Sequence, residues 1–159
     1  MPDAAAPVIS LTPSYPWLGQ VLYGDQTEDA IYRLIDLNGD GDAADAGEHD
    51  VFFDGSNASG LVDPTTNVFN IHQARDGAVY FGDGNADAVF RLIDLNGDGD
   101  ANDAGEANIW FSADNLEGHP LVTPNGIAEG GDGAIYIVNA GVSSTPEDAI
   151  YRTVDLNGD

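Results

Sequence analysis

The stretch Asp29-Ala30-Ile31-Tyr32-Arg33-Leu34-Ile35-Asp36-Leu37-Asn38-Gly39-Asp40-Gly41-Asp42-Ala43-Ala44-Asp45-Ala46-Gly47-Glu48 joins a strand to a loop. It returns as Asp87-Ala88-Val89-Phe90-Arg91-Leu92-Ile93-Asp94-Leu95-Asn96-Gly97-Asp98-Gly99-Asp100-Ala101-Asn102-Asp103-Ala104-Gly105-Glu106. A third copy opens at Asp148-Ala149-Ile150-Tyr151-Arg152 and reaches Asp155-Leu156-Asn157-Gly158-Asp159. The first half of each copy is rich in β-branched and aromatic residues without a helical period, so it reads as a strand. In the second half, acidic or amide side chains alternate, which lets a short turn curl its oxygens inward. Gly39 and Gly41 permit the backbone turns this needs. Such a cage suits a hard cation that takes six to eight oxygens at about 2.3–2.6 Å in flexible geometry, which is calcium. The candidate ligands are Asp36, Asn38, Asp40, Asp42, Asp45 and Glu48 in the first loop. Their counterparts are Asp94, Asn96, Asp98, Asp100, Asp103 and Glu106 in the second loop, and Asp155, Asn157 and Asp159 in the third.

The start of each loop matches an EF-hand loop and the end departs from it. An EF-hand closes with a bidentate Glu at position 12, where this chain has Gly47 and Gly105; Glu48 and Glu106 follow one residue later. Closure by Asp45 or Asp103, directly or through a water, is the alternative. The flanks also differ, because EF-hand and dockerin loops run into amphipathic helices. Here Val51-Phe52-Phe53 and Ile109-Trp110-Phe111 continue as strands. A merely soluble Gly/Asn/Asp turn would account for one copy, but the same thirteen-residue spacing occurs twice in full.

The chain has 159 residues, 42% of them hydrophobic, enough for one domain with a core. Its formal net charge of −24 is partly local, since twelve of the 28 acids lie in the three loops. Three bound calcium ions would bring −24 only to −18, a field that repels nucleic acid and anionic lipid. There is no lysine, and three of the four arginines, Arg33, Arg91 and Arg152, hold the same place in successive repeats. They read as guanidiniums at the base of each loop strand, paired to nearby carboxylates. Arg75 is the fourth.

With no cysteine, disulfides are excluded, and calcium takes their place as a ligand that stabilises only the folded state. Loops of this kind fill at the millimolar calcium found outside cells, which favours an extracellular, cell-surface or periplasmic setting. Met1-Pro2-Asp3-Ala4-Ala5-Ala6-Pro7 lacks the basic and apolar regions of a signal peptide, and no apolar run reaches the ~20 residues that span a bilayer. Asn57-Ala58-Ser59 has the form of a glycosylation sequon and carries no weight alone.

Beyond the loops, Asp29, Asp87 and Asp148 open equivalent strands 58 and 61 residues apart. Asp76-Gly77-Ala78-Val79-Tyr80-Phe81-Gly82-Asp83 answers Asp132-Gly133-Ala134-Ile135-Tyr136-Ile137-Val138-Asn139, with a weaker copy at Gly19-Gln20-Val21-Leu22-Tyr23-Gly24-Asp25. Each unit therefore has four short strands. An opening strand lies near Asn67 to Gln73 or Gly126 to Ala128, the second follows an Asp-Gly turn, and the cation loop joins the third and fourth. Four strands per repeat of this length predict an all-β fold of β-propeller blades, about three in this chain. Blade 1 covers about 8–62, blade 2 about 63–122 and blade 3 about 123–159, incomplete, within one repeat domain over 1–159. Three blades do not close a ring, so the chain is expected to be a segment of a larger ring or one completed by other copies.

The string Thr123-Pro124-Asn125-Gly126-Ile127-Ala128, followed by Asp132-Gly133-Ala134-Ile135-Tyr136, resembles the blade motif of gluconolactonase-like and NHL-type propellers. With its loops, the chain past Val8 resembles bacterial calcium-binding propeller-repeat proteins carrying Asp-x-Asn-x-Asp-Gly loops. The resemblance implies a calcium-stabilised structural or binding module whose ring face meets a protein or glycan partner, or other subunits of an assembly. It also implies an alternative, a metal-dependent lactone or ester hydrolase with one cation in the central channel. Asn125 and its counterpart Asn67 match the asparagine position of such a site, which also needs carboxylate ligands from several blades; Glu129 is nearby in sequence and is not assigned to the channel. A third reading is calcium-controlled adhesion through open strand edges. The recurrent chemistry is stabilising and nothing catalytic recurs with it, so a non-enzymatic module is favoured. Asn125 also reads as a Pro-Asn-Gly turn, His72 as a packed or hydrogen-bonded residue, and His49 and His119 as turn residues.

Overall fold

The computed structural model describes residues 19–61, 65, 67–141 and 148–156. The described residues form ten strands and no helix. The first sheet contains β1 (Gln20–Asp25), β2 (Ala30–Ile35) and β3 (His49–Asp54). The second contains β4 (Val68–Gln73), β5 (Val79–Asp83), β6 (Ala88–Leu92) and β7 (Ala107–Ser112). The third contains β8 (Pro124–Glu129), β9 (Ile135–Asn139) and β10 (Ala149–Thr153). All pairings are antiparallel between consecutive strands, so each sheet is a meander.

The expected four strands per unit are complete only in the second sheet. The opening strand expected for the first unit falls before Gly19, outside the described residues. The loop expected to lead to a fourth strand in the third unit runs into Asn157 and Asp159, also outside them. Asp29 and Asp87 stand just ahead of their strands, at φ 52° and 48°, in the left-handed region that Asp tolerates better than bulkier residues. They are turn residues, and the strands start at the alanines that follow.

The middle sheet is covered on both faces, which explains why β5 is buried along its whole length, apolar from Val79 to Phe81 and closing on the buried Asp83. Val79, Phe81, Phe90 and Leu92 share a core with Ile31, Phe52 and Phe53 of the first sheet. Tyr80 and Val89, on the opposite face, share a second core with Leu121, Ile135 and Ile137. Phe81 stacks on Phe90 at 4.9 Å and meets Phe53 at 5.9 Å, so aromatic contact runs from sheet to sheet. Each such fully buried side chain contributes about 1.5–3 kcal/mol.

Polar bonds link the same sheets. The His72 Nε2 atom accepts the Glu129 N–H at 3.1 Å, and the Asn70 amide donates to the Pro124 carbonyl. At Gly82 a Cβ would lie 2.5 Å from that carbonyl oxygen, so the close approach of the third sheet requires glycine there. No helix among the described residues is long and apolar enough to cross a membrane.

Candidate metal centre

The first loop connects β2 to β3 and the second connects β6 to β7, and they are wired internally in the same way. Asp36 accepts the Gly39 N–H on one oxygen at 2.6 Å and the Gly41 N–H on the other at 2.9 Å. Asp94 does the same with Gly97 at 2.6 Å and Gly99 at 3.0 Å. Farther along, Asp40 accepts the Asp42 N–H and Asp42 the Ala44 N–H, matched by Asp98 with Asp100 and Asp100 with Asn102. These are short-range bonds between Asx side chains and backbone two to five residues on, so the local sequence sets the curl of the loop.

Glu48 and Glu106 are each 2% exposed and sit beneath their loops. One Glu48 oxygen accepts the Leu37 and Asn38 N–H groups at 2.9 and 3.2 Å, and the other accepts the Asp45 N–H at 3.1 Å. Glu106 repeats this with Leu95, Asn96 and Asp103 at 2.9, 3.2 and 3.2 Å. A buried carboxylate with three N–H donors is well satisfied, and here it ties the start of the loop to its end.

The amide of Asn38 occupies the middle of the first loop. Its Nδ2 donates to Asp40 at 3.2 Å and to Asp45 at 2.6 Å. Asn96 donates likewise to Asp98 at 3.0 Å and Asp103 at 2.6 Å. In both loops two carboxylates thus converge on the electropositive end of an amide. The donor set, all carboxylate and amide oxygen, fits a hard cation and would suit a soft one poorly. Among the described residues no three His, Asp or Glu side chains are gathered as a ready metal cluster. Asp155 of the third loop is described, whereas Asn157 and Asp159 lie outside the described residues.

The surroundings of the two loops differ. Hydrogen bonds of the first loop close within residues 35–48 among the described residues. The second loop is bonded to the first sheet and to the turn after β3. Ala101 N–H donates to the Phe52 carbonyl at 2.8 Å, and the Asn102 carbonyl accepts the Ala58 N–H at 2.6 Å. The Asn102 side-chain oxygen accepts the Asp54 N–H at 3.1 Å. Ser59 Oγ donates to the Asp103 carbonyl at 3.1 Å and accepts the Gly105 and Ala107 N–H groups, each at 3.3 Å. The Asn57 amide shapes this turn by donating to the Asp54 and Leu61 carbonyls, so the nitrogen of the sequon is engaged internally.

The arginines divide along the same line. Arg152 pairs with Asp132 at 2.7 Å, and Arg91 reaches Asp76 at 4.0 Å, so both meet the Asp-Gly turn of their own unit. The Arg152 hydrogen bond holds the Asp132 carboxyl below the ordinary carboxylate range. Arg33 has no carboxylate pair among the described residues. Its guanidinium lies against Gly99 of the second loop, where a Cβ would come within 2.5 Å of Nη2, and its Nε is buried without a hydrogen-bond partner. Arg33, Asp76 and Asp94 line a cavity of about 370 Å³ between the first two units.

The residues considered for a channel-type site serve other contacts. Glu129 accepts the Arg75 N–H at 2.9 Å and pairs with its guanidinium at 3.5 Å. Asn125 is exposed at a register shift between Pro124 and Gly126. The matching shift in the second sheet falls between Val68 and Asn70, so the counterpart of Asn125 is Phe69 and the pairing with Asn67 is corrected. His49 bonds the Tyr23 hydroxyl at 2.8 Å from within β3, while His119 follows a turn and faces Glu117 at 3.1 Å.

Sequence reasoning passed over Asp83 and Asn139, both almost fully buried at the ends of β5 and β9. Asp83 accepts the Asn67 N–H at 2.6 Å and the Asn85 and Ala86 N–H groups at 2.8 and 2.9 Å. Asn139 accepts the Val122 and Thr123 N–H groups. The signal was present in the self-alignment, where Asp25, Asp83 and Asn139 close equivalent strings. Compared with protein-family models, with curated proteins and with solved structures, the chain has no match.

Proposed function

We propose that this chain is a calcium-stabilised β-propeller segment, a structural or binding module of an extracellular, cell-surface or periplasmic protein. The observation that carries the reading is the convergence of Asp40 and Asp45 on the Asn38 amide, repeated by Asp98 and Asp103 on Asn96. With the Asn38 or Asn96 amide turned so that its oxygen, which here accepts the Asp40 or Asp98 N–H, faces the same point, that oxygen and the two carboxylates would hold a calcium ion together with Asp36 or Asp94 at the loop entry. The ion would neutralise acids that otherwise repel one another across a short turn. Glu48 and Glu106 support this arrangement as braces, because their oxygens already organise the loop backbone.

Propeller architecture is supported by three successive meanders stacked face to face, with the cation loops joining the third and fourth strands of a unit. The ring would be completed by further blades or other subunits, and its face would meet a protein or glycan partner. The net charge of −24 disfavours nucleic acid. Thermal unfolding with calcium, with magnesium and in excess EGTA tests the reading. The expected melting temperature is highest in calcium and falls in EGTA by at least about 5 °C, the effect of calcium at roughly tens of times its Kd. An identical melt in all three would refute it.

A further inference from the structure

We propose that the two described loops are unequal cation sites, the second being the tighter because the first sheet pre-organises it. This rests on the calcium reading above. Within the loops the bonding is the same position by position, so the difference must come from outside. The loop motif varies at one position, Ala44 in the first copy and Asn102 in the second. That difference supplies the one side-chain bond from the loop to the first sheet among the described residues, and backbone bonds and Ser59 supply the others. Asn102 bonds the Asp54 N–H through its side chain and the Ala58 N–H through its carbonyl, while neighbouring Ala101 bonds Phe52 and is fully buried. Its counterpart Ala43 is only partly buried. Ser59 then fastens the far side of the loop at Asp103, Gly105 and Ala107.

Asp103 is one of the two acids that converge on the Asn96 amide, so the Ser59 contact reaches a candidate ligand directly. Holding a loop in its binding shape lowers the ordering cost of taking up an ion, and site rigidity is one of the levers that set calcium affinity. By linkage the benefit runs both ways. An ion in the second loop stabilises the contact between the first and second sheets, while an ion in the first loop stabilises little beyond itself. Asn102 and Ser59 are therefore positioning residues, acting on the ion through the loop backbone.

Hydrogen exchange of the full chain, titrated from EGTA into calcium alone, tests this. Peptides over 94–106 should reach half-protection at a calcium concentration about fivefold lower than peptides over 36–48, the factor of one net hydrogen bond. Peptides over 50–61 should follow 94–106. Asn102→Ala, which installs the residue the first loop already carries, should raise the half-point of 94–106 about fivefold, and 50–61, still bonded to the loop through Ala101 and Ser59, should shift with it. Ala44→Asn should leave 36–48 unchanged. Equal half-points in the unaltered chain, or an Asn102→Ala protein with an unmoved half-point while both loops still gain protection, would overturn the proposal and leave the calcium reading standing. Absence of any calcium-dependent protection would overturn both.

Discussion

The first and second loops are a controlled comparison within one molecule. Their internal hydrogen bonds agree, down to the three N–H groups on Glu48 and on Glu106. Their neighbourhoods do not, since the second is bonded to the adjacent sheet and buries Ala101 completely, whereas the first is closed upon itself among the described residues. Short-range sequence thus fixes the shape of such a loop, and the sheet beside it fixes how much that shape matters to the whole protein.

The largest expected effect should be equal on the two sides. Glu48→Ala and Glu106→Ala each strip three N–H groups of a buried charged acceptor and should cost about 3 kcal/mol in urea unfolding at matched calcium. A cost for Glu106→Ala well above that of Glu48→Ala would show that the braces belong to their surroundings rather than to their loops. The next effect should be unequal. Ala101→Leu overfills a closed contact with the first sheet and should cost about 2 kcal/mol, while Ala43→Leu should stay within about 0.5 kcal/mol. Equal costs would break the distinction between a docked loop and a free one.

A smaller effect concerns the arginines, which follow the same division. Asp132 has its carboxyl held low by Arg152, a pair exposed to solvent. A folded-state pKa below the unfolded one contributes stability above the ordinary value, 3.8, that is lost as pH falls through the folded pKa. NMR titration of Asp132 should therefore give a midpoint below 3.8 that returns toward it in Arg152→Leu. The same substitution should leave urea unfolding near neutrality almost unchanged, as for other exposed pairs. An unmoved midpoint would remove the pairing from the account.

Much of this was legible in the chain. Ile31-Tyr32-Arg33 and Val89-Phe90-Arg91 announce strands through β-branched and aromatic content, and Asp76-Gly77 and Asp132-Gly133 announce their turns, because these signals act over a few residues. The loops were equally clear, since their first Asx side chains bond backbone close by and the later Asp45 and Asp103 bond an Asn side chain of the same loop. The counterpart of Asn125 was not legible. A bulge inserts a residue without leaving a mark in composition, and it moves the match from Asn67 to Phe69. Nor were Asn102, Ser59 and the contact of Arg33 on Gly99, whose partners are supplied by the neighbouring unit. Asp83 was visible as a repeated acid, but its burial depends on how the turn before β6 and the strand before it close around it.

The central claim is that the point where Asp40, Asp45 and Asn38 meet, and its copy at Asp98, Asp103 and Asn96, is a calcium position. Crystals grown in millimolar calcium and measured for anomalous scattering test it most directly. The expected map has one calcium peak in each loop, about 2.3–2.6 Å from the oxygens of these residues. Loops with no peak, still closed on their asparagine amides at that calcium concentration, would contradict it.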